Sequence, residues 1–515
     1  MKDKLERLRA AKEKARLGAG AGKIESQHKR GKMTARERLD ALLDTGSFVE
    51  FNPLATTRST EFGMAERRVH GDGLISGFGT IDGRIVCVYA QDFTVLGGSI
   101  GAVHGRKMCE AVDWAGKRGV PIIGLFDSAG ARIHEGWSGG RDGGSLFLPN
   151  TFLSGVAPQI ALILGPCAGI SVYSPALMDF VVMVDGVSYM HITGPKVIES
   201  VTGEKYTSEE LGGAEVHCRT TGCGHFRAGS EAECFDLTRK LLSYLPQNHL
   251  EDPPAAEMGD DPDREDDELN DMIPDDPRKA YDVKEIICRL ADAGDFLEVH
   301  AEFAPNLVVG FARLAGKPVG IIANQPMVMG GTLTVDASDK CARFVRFCDC
   351  FNIPLVYLAD VPGYLPGIEQ EHAGIIRHGA KMLYAYCEAS VPKITVVMRK
   401  GYGGGILAMG GNKGLGSDLI LAWPTAEIAV VGAEAAVDLL MARDIEAAED
   451  PESFRRKKIE WYRSTFGDPI GSAEMGLADD VIEPRETRRT LIRRLDFLRG
   501  KRESRPRKKH GNIPL

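Results

Sequence analysis

The apolar positions that predict strands in this chain fall in unbroken runs rather than alternating with polar ones. Ile160 to Leu164, within APQIALILGP, is one such run. Five apolar residues closed by a glycine turn predict a strand buried on both faces, followed by a helix. Val103 to Lys117 and Ser338 to Cys350 show helical spacing instead and predict amphipathic helices. Around them the same order appears twice. A hairpin-like β region leads to a Gly-Gly turn and an amphipathic helix, then to a strand of the form Pro-x-x-x-x-x-Asp. A loop and helix follow, then a second apolar strand and a Gly-rich turn that opens another helix. Strands alternating with helices predict an α/β protein built on a mainly parallel sheet or a spiral of ββα units.

The two passes are in register. Gly77, Gly83, Ala90, Gly97 and Gly98 recur 233 residues later as Gly310, Gly316, Ala323, Gly330 and Gly331. Pro121, Asp127 and Gly130 of VPIIGLFDSAG keep that offset to Pro354, Asp360 and Gly363 of IPLVYLADVPG. Pro158 and Gly169 match Pro392 and Gly403 at an offset of 234. So long a period excludes a solenoid of short repeats, so the chain is read as a duplicated domain. Between His249 and Pro277 lie thirteen Asp or Glu and five Pro. Such a tract predicts an exposed linker. The expected organisation is a first domain over 1–250, an acidic linker over 251–278 and a second domain over 279–515.

Composition narrows the function. The chain has 515 residues, 43% hydrophobic and 26% charged, as in ordinary globular proteins. A net charge of −9 argues against a nucleic-acid binder. Residues 143–178 carry no charge, yet Pro158, Pro166 and Pro175 and several glycines cut them into pieces too short to span a membrane. The first forty residues hold seven Lys and six Arg against six acidic residues. They predict basic helix, read as a solvated face or as a site for a polyanionic partner. No apolar targeting region is visible at the N-terminus. The eleven cysteines are scattered, as expected of thiols in a reducing cytoplasm. Of these, Cys218 and Cys223 cluster loosely with His217 and His225. Buried or surface thiols are the expectation there, with no bound metal.

Aromatics are only 7% of the chain, but glycines number 60, and the richest turns carry the candidate chemistry. Gly165-Pro-Cys-Ala-Gly-Ile-Ser171 and Gly401-Tyr-Gly-Gly-Gly-Ile406 follow apolar strands at matching places. A strand-to-helix turn leaves the first helical amides unpaired, with the positive end of the helix dipole behind them. Such amides suit a developing oxyanion, although tight strand–helix packing alone would also call for these glycines. Phosphate-loop and nucleophile-elbow patterns are absent. Ser128 has no histidine partner by motif, and His134, His191 and His378 read as structural hydrogen-bonders. Asp127 and Asp360 end strands, where capping the loop that follows is one role among others.

These stretches resemble the carboxyltransferase (β) subunit of biotin-dependent acyl-CoA carboxylases, closest to the propionyl-CoA type. The motifs are QDFTVLGGSIGAVHGRKM, DSAGARIHEG, GPCAGISVYSPALMDFVVMVD, ITGPKVI and ELGGAEVH in the first half. In the second they are DASDKCARFVRFCDCFNIPL, DVPGYLPGIEQEHAGIIRHGAKMLYAY, RKGYGGGI and AWPTAEIAVVGAEAAV. The resemblance implies two crotonase-like ββα-superhelix domains, an acyl-CoA side in the first and a biotin side in the second. It implies a site between the first half of one subunit and the second half of another, usually within a hexamer. It also implies a reaction in which carboxybiotin gives up CO2, the biotin ureido nitrogen takes the α-proton of an acyl-CoA, and the enolate captures the CO2.

Carried over by position, Gly169 and Ile170 would hold the thioester oxygen, and Gly404 and Gly405 the biotin ureido oxygen. Ser128, Ala129, Gly130 and Ala131 would lie along the CoA, with Ile406 and Leu407 at the acyl pocket. The basic N-terminus and the tail RPRKK (505–509) would meet CoA phosphates or other subunits. The chain departs from the family at Gly169-Ile170-Ser171 and at Gly405-Ile406-Leu407, where Leu407 replaces the Asp typical of propionyl enzymes. It has no biotinylation motif and no ATP-binding carboxylase segment, so the expected partners are a biotin carboxylase and a biotin carboxyl carrier subunit. The implied protein is cytoplasmic, and its short-chain acyl-CoA is propionyl-CoA or similar. One alternative is the α-subunit of a sodium-pumping methylmalonyl-CoA or glutaconyl-CoA decarboxylase, docked to a membrane partner. The other is a non-catalytic structural subunit.

Overall fold

A computed structural model describes residues 1–515 except 138–143, 275 and 277. Gly143 of the charge-free stretch and Asp275 and Pro277 of the acidic tract therefore lie outside the described residues. The chain forms two compact units, Met1–Glu251 and Asp252–Leu515.

The first unit is built on β1 (Val49–Phe51), β2 (Leu74–Ile81), β3 (Arg84–Gln91), β4 (Ile122–Ser128), β5 (Gln159–Ala168), β6 (Phe180–Val184), β7 (Tyr189–His191) and β8 (Phe226–Ala228). Their order is β1-β2-β3-β4-β5-β6-β8, with β7 on the far end of β5. The β1-β2 and β2-β3 pairs are antiparallel, and the rest of the sheet is parallel. Asp82 (φ +49°) and Gly83 (φ +75°) turn β2 into β3, the left-handed pair that matches the twist of a tight hairpin. The helix Ala102–Arg118, one residue longer at each end than its spacing predicts, stops on left-handed Gly119. Met108, Ala111, Val112 and Ala115 seal it against Tyr89, Phe126 and Ile163.

The second unit repeats this plan with β9 (Phe296–Val299), β10 (Leu307–Leu314), β11 (Lys317–Asn324), β12 (Leu355–Val361), β13 (Lys393–Tyr402), β14 (Leu419–Ala422), β15 (Glu427–Ala429) and β16 (Asp480–Val481). The order is β9-β10-β11-β12-β13-β14-β16, with β15 on β13. Even the irregularities recur. The register shifts between Phe126 and Ser128 in one unit and between Ala359 and Val361 in the other. The bridge Ile100–Ala131 returns as Leu333–Tyr364. Asp127 and Asp360, and the unbroken runs around them, are fully buried, as parallel strands covered on both faces require. The helix Val335–Cys350 begins three residues before its apolar spacing suggests, because the Thr334 side chain accepts the Ala337 amide and caps it.

The acidic tract is not simply an exposed connector. Leu269 and Ile273 are buried in the core of the second unit, with Val283, Ile286 and Trp423. Asp266 pairs with Arg289 at 3.0 Å, Glu265 with Arg489 at 2.6 Å and Asp263 with Arg493 at 2.9 Å. Composition misleads here because the tract binds a complementary arginine-rich helix, Thr487–Leu498, about two hundred residues further along.

Candidate active site

Strand β5 runs directly into a short turn of helix, Gly169–Val172, with Gly169 in left-handed backbone at φ +59°. Strand β13 does the same into Gly403–Ala408, with Gly403 at φ +53°. In neither case does a side chain cap the helix start. The first-turn amides of both turns therefore have no intrahelical acceptor.

A second loop meets each turn. A β-carbon on Gly130 would lie 2.8 Å from the Ala168 carbonyl oxygen, so the loop 128–131 rests on the backbone just before Gly169. Only glycine, here at φ +96°, permits that approach. In the second unit a β-carbon on Gly405 would lie 2.9 Å from the Gly363 Cα, and Gly404 sits 4.0 Å from the Tyr364 ring by the same measure. Gly363 and Tyr364 thus border the second turn although sequence reasoning did not select them. The signal was present, since they stand 233 residues after Gly130 and Ala131.

Not every expected side chain faces outward. Ser128 is buried, and its hydroxyl accepts the Gly130 amide at 3.1 Å, whereas Ala129 and Ala131 are exposed. The Ala129 amide donates to the Gly97 carbonyl at 2.9 Å. Gly97 in turn borders a cavity of about 640 Å³ with Lys14, Lys23, Arg30, Arg67 and Arg68 on its walls. Ile406 is 5% exposed and packs on Gly401 and Gly411. Its side chain is core rather than pocket lining, while Leu407 beside it is half-buried and Gly404 exposed.

Other candidates have structural partners. Asp127 and Asp360 do not cap the following loops. Complete burial forces them into ion pairs instead, Asp127 with Lys32 (2.7 Å) and Arg38 (2.8 Å), Asp360 with Arg399 (2.8 Å). His378 lies 2.8 Å from an Asp339 carboxylate oxygen, His134 packs edge-on against Phe62, and burial lowers the His191 pKa at the end of β7. His217 contacts the Met190 carbonyl and the Thr221 hydroxyl, each at 2.8 Å, and Cys218 donates to the Phe226 carbonyl. Among the described residues no group of three or more His, Cys, Asp or Glu is placed to hold a metal ion, and no helix is long and apolar enough to cross a membrane. The eleven cysteines form no disulfide. In the C-terminal tail, Arg505 donates to the Ala389 carbonyl at 3.0 Å and Lys508 pairs with Glu388, so these cations serve their own unit.

Each of the two units thus presents a Gly-rich turn at the same place in the fold. The carboxyl transferase domain model matches residues 26–513. The chain is 54% identical over 515 residues to the carboxyltransferase subunit of propionyl-CoA carboxylase from Haloferax mediterranei, covering all of both chains. It is 50% identical over 512 residues to the α-subunit of methylmalonyl-CoA decarboxylase from Propionigenium modestum, with 99% of each covered. The crystal structure of transcarboxylase 12S, a hexamer with methylmalonyl-coenzyme A and methylmalonic acid bound, matches with a TM-score of 0.97 at 50% identity, over 100% of this chain and 98% of that one. The chain belongs to the carboxyl transferase family. It is a carboxyltransferase of the propionyl-CoA carboxylase type, with two duplicated crotonase-like α/β domains.

Proposed function

We propose that this chain is the cytoplasmic carboxyltransferase subunit of an acyl-CoA carboxylase and carboxylates a short-chain acyl-CoA such as propionyl-CoA. Its partners are a biotin carboxylase and a biotin carboxyl carrier protein, and it assembles with itself as a hexamer. The observation that carries this reading is the repeated pairing of a Gly-rich turn with a glycine loop, Gly130 against Ala168 and Gly363 against Gly405. Biotin, when presented by its carrier in the N-carboxylated form, would supply the CO2 and, once freed of it, a ureido nitrogen that accepts the substrate α-proton.

The protein's part is to hold charge. The amides at Gly169 and Ile170 face the thioester oxygen as it becomes an enolate oxygen. The amides at Gly404 and Gly405 hold the opposite anion, and the absence of a side chain at exposed Gly404 lets a planar ureido ring approach the backbone. Each such donor is worth about 2.7–4 kcal/mol in enzymes where it has been removed. Exposed Ala129 and Ala131 lie along the CoA, and the basic cavity beside Gly97 receives its phosphates. The acidic tract leads out of the acyl-CoA domain and from Asp252 onward packs as part of the biotin domain, and one site draws on the first unit of one copy and the second unit of another.

The test is carboxyl transfer from malonyl-, methylmalonyl-, ethylmalonyl- and glutaconyl-CoA to free biotin by the purified chain. Turnover of methylmalonyl-CoA is the expected result, and no transfer from any of the four would sink the mechanism. The alternative, a decarboxylase α-subunit, rests on the likeness to the Propionigenium modestum protein. Co-purification with an integral membrane subunit rather than with a biotin carboxylase would favour it.

A further inference from the structure

Each unit buries a carboxylate completely at the end of its central strand, Asp127 in β4 and Asp360 in β12. Both occupy the same place in the repeat, inside the register shift that precedes the loop against the Gly-rich turn. A buried carboxylate requires cations and donors, and the two units find them in different places.

In the second unit the cation belongs to the sheet. Arg399 of β13 reaches Asp360 with Nε at 2.9 Å and Nη2 at 2.8 Å, and the Tyr281 hydroxyl donates at 2.9 Å. Arg399 stands four residues before Gly403 on the same strand. The matching residue of β5 is Gly165, four before Gly169. A β-carbon there would overlap Asp127 Oδ1 and lie 2.5 Å from Lys32 Nζ. The first unit therefore brings its charge from the N-terminal segment. Lys32 Nζ lies 2.7 Å, Arg38 Nη1 2.8 Å and Gln27 Nε2 3.2 Å from Asp127 Oδ2. Arg38 also donates to the Leu164 carbonyl at 2.7 Å, one residue before Gly165, and pairs with Glu231 at 2.6 Å.

We propose that Lys32 and Arg38 are positioning residues for the acyl-side turn, and Arg399 and Tyr281 for the biotin-side turn, so that each half-site has its own buried clamp. The inference rests on the roles given above to the two turns. A clamp on Asp127 fixes β4 against β5 where β5 becomes the turn at Gly169, and a clamp on Asp360 fixes β12 against β13 ahead of Gly403. The acyl side is thereby tied to residues 27–38, outside the sheet, whereas the biotin side is tied to the sheet itself and to Tyr281.

The experiment varies each substrate in turn during transfer from methylmalonyl-CoA to free biotin by the purified full-length chain. Lys32→Met is expected to lower kcat and raise the acyl-CoA KM by about tenfold or more, within the hundredfold that small misplacements bring. The biotin KM should stay within about twofold of the wild-type value, because the other clamp is intact. Lys32→Arg should restore the acyl-CoA KM. Arg399→Met should do the reverse, raising the biotin KM and sparing that of acyl-CoA. Gln27→Leu and Tyr281→Phe keep the ion pairs, so they remain readable if the Met variants fail to fold, and each should give a smaller split in the same direction. Parallel changes in both KM values, or no change in either, would overturn the proposal. A wild-type chain that transfers no carboxyl would overturn the assignment of the turns, and the clamps as positioning residues with it.

Discussion

Equivalent glycines in the two turns should respond differently to the same substitution. Gly169 and Gly403 both hold left-handed backbone, φ +59° and +53°, where alanine costs roughly 1–2 kcal/mol. At Gly169 the added methyl meets nothing closer than the Ile192 carbonyl oxygen at 3.8 Å, an ordinary contact. At Gly403 it would lie 2.8 Å from the Val430 carbonyl oxygen, so backbone must move. Overpacking of that kind adds about 1–3 kcal/mol. Gly169→Ala should therefore cost about 1–2 kcal/mol and Gly403→Ala about 2–5 kcal/mol by the same terms. The displacement at Gly403 also carries the Gly404 and Gly405 amides with it. Losing one oxyanion donor lowers kcat by about a hundredfold to a thousandfold, so Gly403→Ala should lose at least tenfold more activity than Gly169→Ala. Urea unfolding and transfer to free biotin, measured side by side on the two variants, decide the matter. Equal losses, or a milder Gly403→Ala, would refute the argument from crowding.

Three further outcomes follow from particular contacts. Gly165→Ala should evict the Asp127–Lys32 pair, at the roughly 3–5 kcal/mol that breaking a buried pair costs, and lower the urea midpoint sharply. Gly22→Ala, inside the helix Ala21–His28 with nothing within 4 Å, serves as the control that should not lower the midpoint. Burial lowers the Lys340 pKa to about 7, its ammonium donating to the carbonyls of His300 (2.9 Å), Phe303 (2.8 Å) and Ala304 (3.3 Å). Because the free lysine titrates near about 10.4, the unfolded chain holds more protons between about pH 7 and 10, and this group adds stability as pH rises across that window. Lys340→Met should flatten the rise in urea midpoint between pH 7 and 9, and an unchanged slope would count against it. Leu407→Asp should change the preference among the acyl-CoAs of the panel by about tenfold, the scale on which a pocket reads one methylene, and an unchanged ratio across the panel would mean that position 407 does not shape the pocket.

Much of the fold was legible because its signals are local. Apolar runs placed β4, β5, β12 and β13, and the 233-residue register announced two copies of one unit. The candidate site was legible to the extent that it is made of backbone. A glycine that must adopt φ +53° or admit a neighbouring carbonyl is visible as a glycine, so both turns stood out. Side-chain direction was less visible. Ile406 and Leu407 are adjacent and both apolar, yet one packs on Gly401 and Gly411 while the other is half-exposed. Nothing in a two-residue pattern at the start of a short helix distinguishes them. Tyr364 is marked only by its 233-residue offset from Ala131, and its ring meets Gly404 through a tertiary contact that offset does not reveal.

The sequence by itself determined the duplication, the strand and turn order and the family, since each is written in residue spacing along the chain. Only the tertiary structure decided where the charges go. Asp127 and Asp360 look alike in sequence, but one is neutralised by Lys32 and Arg38, some ninety residues away and outside the sheet, and the other by Arg399 on the adjacent strand. The acidic tract looked like a linker until Leu269 was buried and its carboxylates met the arginines of the last helix. The physical reason is common to both. A charge is satisfied by whatever opposite charge folding brings within about 4 Å, and that distance has no fixed counterpart in sequence separation.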